Sequence, residues 1–166
     1  MTKYKRAILG AAAVALSLSS AAPAVASACW SEADVSAAKV REMQTQLMVA
    51  ALRCRAGGVD ILANYNRFLH AKRGEITAAN ARLRAHFLAA NRRTGERDYD
   101  RYTTSLANGY GGARTNQGSC ADAASLADEA ASARSGLVAV ADREIASPQH
   151  TAGRCPGRKS IYLAAE

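Results

Sequence analysis

The chain has 166 residues, 49% of them hydrophobic, 5% aromatic and 22% charged, with a formal net charge of +8. This balance suits one domain with its own core. A membrane-embedded bundle is excluded, because neither the ~12-residue apolar stretch near the start nor any later segment reaches the ~20 residues that span a bilayer.

The first elements met along the chain are those of a secretory signal over residues 1–28. Lys3, Lys5 and Arg6 supply a basic start, residues 7–18 an apolar stretch, and Pro23-Ala24-Val25-Ala26-Ser27-Ala28 two overlapping A-x-A cleavage sites. The mature chain then begins at Ser27 or Cys29, in the periplasm or outside the cell. Alanine stands before Cys29 where a lipobox has a larger aliphatic residue, which argues against lipidation. Cys29, Cys54, Cys120 and Cys155 all lie beyond either cut, so an even set of thiols enters an oxidising compartment and two disulfides are expected.

Helical periodicity dominates the mature chain, and the expected fold is all-α: an up-down four-helix bundle over residues 29–146, with an irregular C-terminal tail at 147–166. Helix one, about 31–54, opens on the capping-box-like Ser31-x-x-Asp34 and carries the seam Val40, Met43, Leu47, Ala50 and Cys54. Gly57-Gly58 ends it. Helix two, about 59–93, has Leu62, Leu69, Ile76, Leu83 and Ala90 at seven-residue intervals, with Tyr65, Lys72, Ala79 and His86 three residues after the first four. The phase is unchanged across Gly74, so the expectation is one helix ~50 Å long, with a bend at Gly74 at most. Helix three, about 97–109, carries the stripe Tyr99, Tyr102, Leu106 and Tyr110. Helix four, about 119–146, starts at Ser119-x-x-Asp122, has an alanine-rich inner face and ends at Ser147-Pro148.

Up-down topology places Cys54 at the same end as Cys120, and Cys29 at the same end as Cys155. Bridged cysteines need Cα atoms within about 7 Å, so Cys54–Cys120 and Cys29–Cys155 are the expected pairs.

Chemistry-bearing motifs are sparse. His70, His86 and His150 are isolated, with no pair placing two metal ligands on one helix face. No metal or other cofactor is expected. His86 falls on the helix-two seam as a hydrogen-bonded interior or boundary residue, whereas His70 is expected to be wet. Asp60 and Glu75 lie ~22 Å apart along a continuous helix, too far for a glycosidase pair. No nucleophile elbow, phosphate loop or Cys-His signature is present, so no catalytic residue is assigned.

The charge excess is local: residues 53–101 hold eleven basic and five acidic residues, a surplus of six. Arginine dominates, and its planar fork suits carboxylate and phosphate. Candidate binding residues are Asn66, Arg73 and Asn80, which share one heptad position beside the seam, and the neighbouring Arg82 and Arg84.

Leu52-Arg53-Cys54-Arg55, Asp60-Ile61-Leu62, Tyr65-Asn66-x-Phe68-Leu69, Ala79-Asn80-x-x-Leu83-Arg84-x-His86-Phe87 and Tyr99-Asp100-Arg101-Tyr102-Thr103-Thr104 form a further pattern. It resembles a family of small uncharacterised exported helical four-cysteine proteins of alphaproteobacteria, over about residues 40–110. The resemblance implies an envelope location and adds no catalytic residue. The function expected from the sequence is a non-enzymatic binding module for an anionic surface component or protein of the envelope, with homodimerisation through helix two a further option. The alternative is a small-ligand carrier or enzyme with a polar inter-helix pocket. Nucleic acid is not expected as a partner, because export removes the usual target.

Overall fold

A computed structural model describes residues 29–156. The expected signal at 1–28 and residues 157–166 of the expected tail lie outside the described residues. Within them the chain is all-helical, with two disulfides and six helices: α1 (Glu32–Ala56), α2 (Leu62–Ala71), α3 (Arg73–Ala90), α4 (Gly95–Gly111), α5 (Gln117–Ser132) and α6 (Leu137–Glu144). No described helix is long and apolar enough to cross a membrane.

Helix α1 is the hub, packed against each of the other five. It begins at a capping box: Ser31 Oγ accepts from the Asp34 N–H at 3.2 Å, and the Asp34 carboxylate accepts from the Ser31 N–H at 3.2 Å. Its expected seam is buried at Val40, Met43, Leu47 and Cys54, and Ala37, Ala38, Thr45 and Ala51 are buried too. A helix covered this widely is a core helix with no dominant wet face.

Two expected helices each fold as a pair. The 59–93 helix is interrupted at Lys72 (φ −113°, ψ 16°), two residues before Gly74, where a Cβ would meet nothing within 4 Å. Residue burial keeps its helical spacing through the break, at Phe68, Lys72, Ile76, Ala79 and Leu83. The axis changes because α2 lies on α5 while α3 lies on α1 and α4, and one straight helix cannot reach both. The 119–146 helix is likewise divided at 133–136, where Gly136 has φ +88°. Its start also differs. Asn116 is the cap, exchanging hydrogen bonds with Ser119 (2.9 and 3.0 Å), so Ser119, where the sequence places the start, is already the third helical residue.

The two interruptions face each other across one ion pair. Lys72 Nζ donates to the Ala133 carbonyl at 2.6 Å and pairs with Glu75 at 3.2 Å, while Glu75 Oε2 accepts from the Leu137 N–H at 2.5 Å. Lys72 is buried. Its cation closes the open C-terminal carbonyl of α5, and the Glu75 anion caps the N-terminus of α6, where the helix dipole favours it.

Elsewhere α4 starts in tight contact with α3: a Cβ on Gly95 would lie 2.7 Å from both the Leu88 Cα and the Phe87 carbonyl oxygen. Only glycine permits that approach. Two cystines cross-link the described residues. Cys54, at the end of α1, joins Cys120 in the first turn of α5 (Cα–Cα 5.8 Å), and Cys29 joins Cys155 (4.8 Å). Beside the second bridge, Trp30 N–H donates to Gly153 O and Cys155 N–H to Trp30 O, both at 3.0 Å.

Substituting Lys72→Met leaves the Ala133 carbonyl and Glu75 without their cation and is expected to cost about 1–3 kcal/mol in urea unfolding. Replacing either cystine by two alanines is expected to cost ~2–4 kcal/mol on the same assay, slightly more for Cys29–Cys155 because it closes the longer loop (126 against 66 residues).

Candidate functional site

The residues proposed from sequence divide into three groups. Asn66 and Arg73 meet at the α2–α3 junction, where with Leu69, His70, Ile76 and Thr77 they line a cavity of about 310 Å³. Asn80 is not in that lining, and its buried Oδ1 has no hydrogen-bond partner. Arg82 and Arg84 are already occupied. Arg82 Nε donates to Asp34 at 2.5 Å and its terminal nitrogen to Ser31 Oγ at 3.1 Å, while Arg84 Nε donates to Glu96 at 2.8 Å. The arginine flank of α3 is therefore partly neutralised by acids from α1 and α4.

Asp34 gathers a polar cluster that sequence spacing did not show. His86 Nδ1 lies 3.3 Å from Asp34 Oδ2, and the Trp30 ring stacks on the imidazole with centroids 4.1 Å apart. Burial works to raise the Asp34 pKa. Hydrogen bonds from Ser31 and Arg82, with the Arg82 charge, outweigh burial and hold the carboxyl below its ordinary value of 3.8. All these partners belong to the α1 cap and the α3 contact, so the cluster is a fastening between helices. His86 sits at the boundary and hydrogen-bonded as expected, and His70 is exposed.

A second buried carboxylate, Glu42, lies midway along α1. It accepts from the Tyr110 hydroxyl at 2.8 Å and from the Gln149 N–H at 2.7 Å, with no cation within salt-bridge distance among the described residues. Burial, followed by this hydrogen bond to an anion, pushes the Tyr110 pKa up. Tyr102 is raised for similar reasons, burial first and the Glu42 charge second, and its buried hydroxyl has no partner. Ser105 Oγ lies 2.9 Å from His150 Nε2, but no acid pairs with His150 among the described residues, so the two do not form a catalytic triad. Nor does any group of three or more His, Cys, Asp or Glu among them have a metal-binding arrangement.

A second cavity, about 470 Å³, lies between α1, the end of α4, α5 and Glu144 of α6. Its floor is the α1 stripe Gln46, Val49, Ala50 and Arg53, whose i, i+3, i+4, i+7 spacing points one face into the space. Arg53 is held by Thr115 Oγ1 at 2.8 Å and by the Gly111 and Ala113 carbonyls.

An open basic feature is the α3–α4 turn. Arg92, Arg93 and Arg97 are exposed and none pairs with a carboxylate among the described residues; neighbouring Glu96 and Asp98 are engaged by Arg84 and Arg101. Asn91 Oδ1 shapes the turn by accepting from the Arg93 and Thr94 N–H groups at 2.9 and 3.3 Å. Exposed Arg154 lies on the segment bridged to Trp30, whose ring packs on Phe87 near the end of α3.

No protein-family model, curated protein or solved structure matches the chain.

Because the folded-state pKa of Asp34 is depressed, its contribution to stability is fully present above its ordinary value of 3.8 and is lost as pH falls through the folded value. The stability difference between wild type and Asp34→Asn is expected to be constant from pH 7 to about 5 and to shrink below about pH 4, read from urea midpoints across that range.

Proposed function

We propose that the chain is an exported, non-enzymatic binding module for a phosphate-bearing envelope surface, such as lipid or lipopolysaccharide headgroups. Contact is made through the arginine end of the molecule at the α3–α4 turn. The observation that carries this reading is the trio Arg92, Arg93 and Arg97: exposed, carboxylate-free, and set within six residues on a turn pinned by Asn91. Guanidinium forks suit phosphate in two-point geometry, and their charges act together at a surface. Two cystines and the signal-like residues 1–28 support an extracytoplasmic location, and the resemblance to exported four-cysteine proteins points the same way. In this reading the helices form an up-down bundle in which α2–α3 and α5–α6 each act as one kinked limb.

Co-sedimentation with vesicles tests it. The protein is expected to bind vesicles containing phosphatidylglycerol, not pure phosphatidylcholine, and to release as ionic strength rises to the physiological value. At ~1 kcal/mol per surface arginine, the Arg92→Ala, Arg93→Ala, Arg97→Ala triple variant is expected to bind about a hundredfold more weakly. Equal binding to neutral vesicles, or undiminished binding by the variant, overturns the proposal.

A further inference from the structure

The two cystines differ in what they hold and in how far solvent reaches them. Cys54 and Cys120 are each 1% exposed and join α1 to α5. Cys29 and Cys155 are partly exposed, and neither belongs to a helix: Cys29 precedes the α1 cap, and Cys155 lies on the strap 146–156 that follows α6. A thiolate attacks a disulfide only at a sulfur it can reach, so access favours the Cys29–Cys155 bond. Opening that bond interrupts no described helix.

Apart from the sulfurs, few groups tie the strap to the rest of the described fold. The Gln149 N–H donates to Glu42 at 2.7 Å, His150 Nε2 lies 2.9 Å from Ser105 Oγ, and Gly153 and Cys155 share backbone hydrogen bonds with Trp30. Pro148 is the only buried residue of the strap. His150 is exposed and has φ +58°, a conformation that residues with a Cβ rarely adopt. The facing side is firmer. The Trp30 ring stacks on His86 and packs on Phe87 and Tyr102, so Trp30 stays in place when the sulfurs part and the strap is the side that moves.

We propose that Cys29–Cys155 is a site of thiol–disulfide exchange with a dithiol, and that its reduction releases the strap while the six described helices and Cys54–Cys120 persist. One thiolate of the dithiol attacks a sulfur of the bridge, forming a mixed disulfide and expelling the other cysteine as a thiolate, which takes up a proton. The second thiol of the reductant loses its proton and attacks the mixed disulfide. The reductant leaves as a disulfide, and two electrons and two protons have passed to Cys29 and Cys155. Release of the strap withdraws the Gln149 donor from the buried Glu42 carboxylate and opens that carboxylate to water.

Reduction of the folded, oxidised full chain by dithiothreitol tests this, with thiols alkylated at intervals and located by peptide mass, and amide hydrogen exchange followed in parallel. Cys29 and Cys155 are expected to be alkylated at least about tenfold faster than Cys54 and Cys120. Peptides covering 146–156 are then expected to exchange at least about tenfold faster than in the oxidised protein, while peptides of the six helices keep their protection. The Cys29→Ser, Cys155→Ser double variant retains Cys54–Cys120. It is expected to show the fast exchange without dithiothreitol, and no further change over the time in which the wild-type bridge opens. Both cystines opening together, Cys54–Cys120 opening first, or no reduction of either overturns the proposal. So does a reduced Cys29–Cys155 pair that leaves the strap as protected as before or strips protection from the helices. The vesicle experiment on the α3–α4 turn is independent of each of these results.

Discussion

The architecture depends on a single buried cation. Lys72 reaches from the break in the α2–α3 limb to the break in the α5–α6 limb, and with Glu75 it supplies what both broken helices lack: a donor for the last carbonyl turn of α5 and an acceptor for the first N–H of α6. A helix end placed inside a protein without such partners leaves bare backbone groups that water cannot reach. Bending both limbs at the same level removes that difficulty, and it lets α2 follow α5 while α3 turns toward α1 and α4. The backbone leaves the regular helix at Lys72 (φ −113°, ψ 16°), where a side chain is held by tertiary contacts, and at Gly136 (φ +88°), a conformation open to glycine.

Much of the fold was legible in the amino-acid sequence wherever the signal was local. The α1 seam, the Tyr102 and Leu106 stripe and the positions of Cys54 and Cys120 at helix ends follow from three- and four-residue spacing. The disulfide pairing follows from bringing like ends together. The breaks were hidden for a physical reason. Lys72 occupies a heptad position at which burial continues without a change of phase, and its partner Ala133 lies 61 residues away. Gly74 drew attention because glycine weakens a helix, yet the chain bends where a tertiary contact is available. Ser135-Gly136 was the one local sign of the second break, and the alanine-rich pattern on both sides of it obscured that sign.

The candidate sites show the same division. Asn66 and Arg73 share a heptad position and do meet at a cavity. Arg82 and Arg84 looked equally available in one dimension, but Asp34 and Glu96 reach them from other helices, an arrangement that composition cannot reveal. What survives as open charge is set by which carboxylates the fold has already committed. The arginines of the α3–α4 turn stay free because the neighbouring acids Glu96 and Asp98 pair with Arg84 and Arg101. The large cavity draws on four helices and on the loop after α4, so no stretch of sequence announces it.

The Cys29–Cys155 bridge also determines how the domain bears load. The backbone of Trp30 runs beside that of Arg154, and the covalent link there joins the two ends of the described fold. Tension applied between Cys29 and the chain following Cys155 therefore passes through one sulfur–sulfur bond and bypasses all six described helices. A molecule built this way can be tethered at both sides without its core being drawn out, so long as its surroundings keep that bond oxidised.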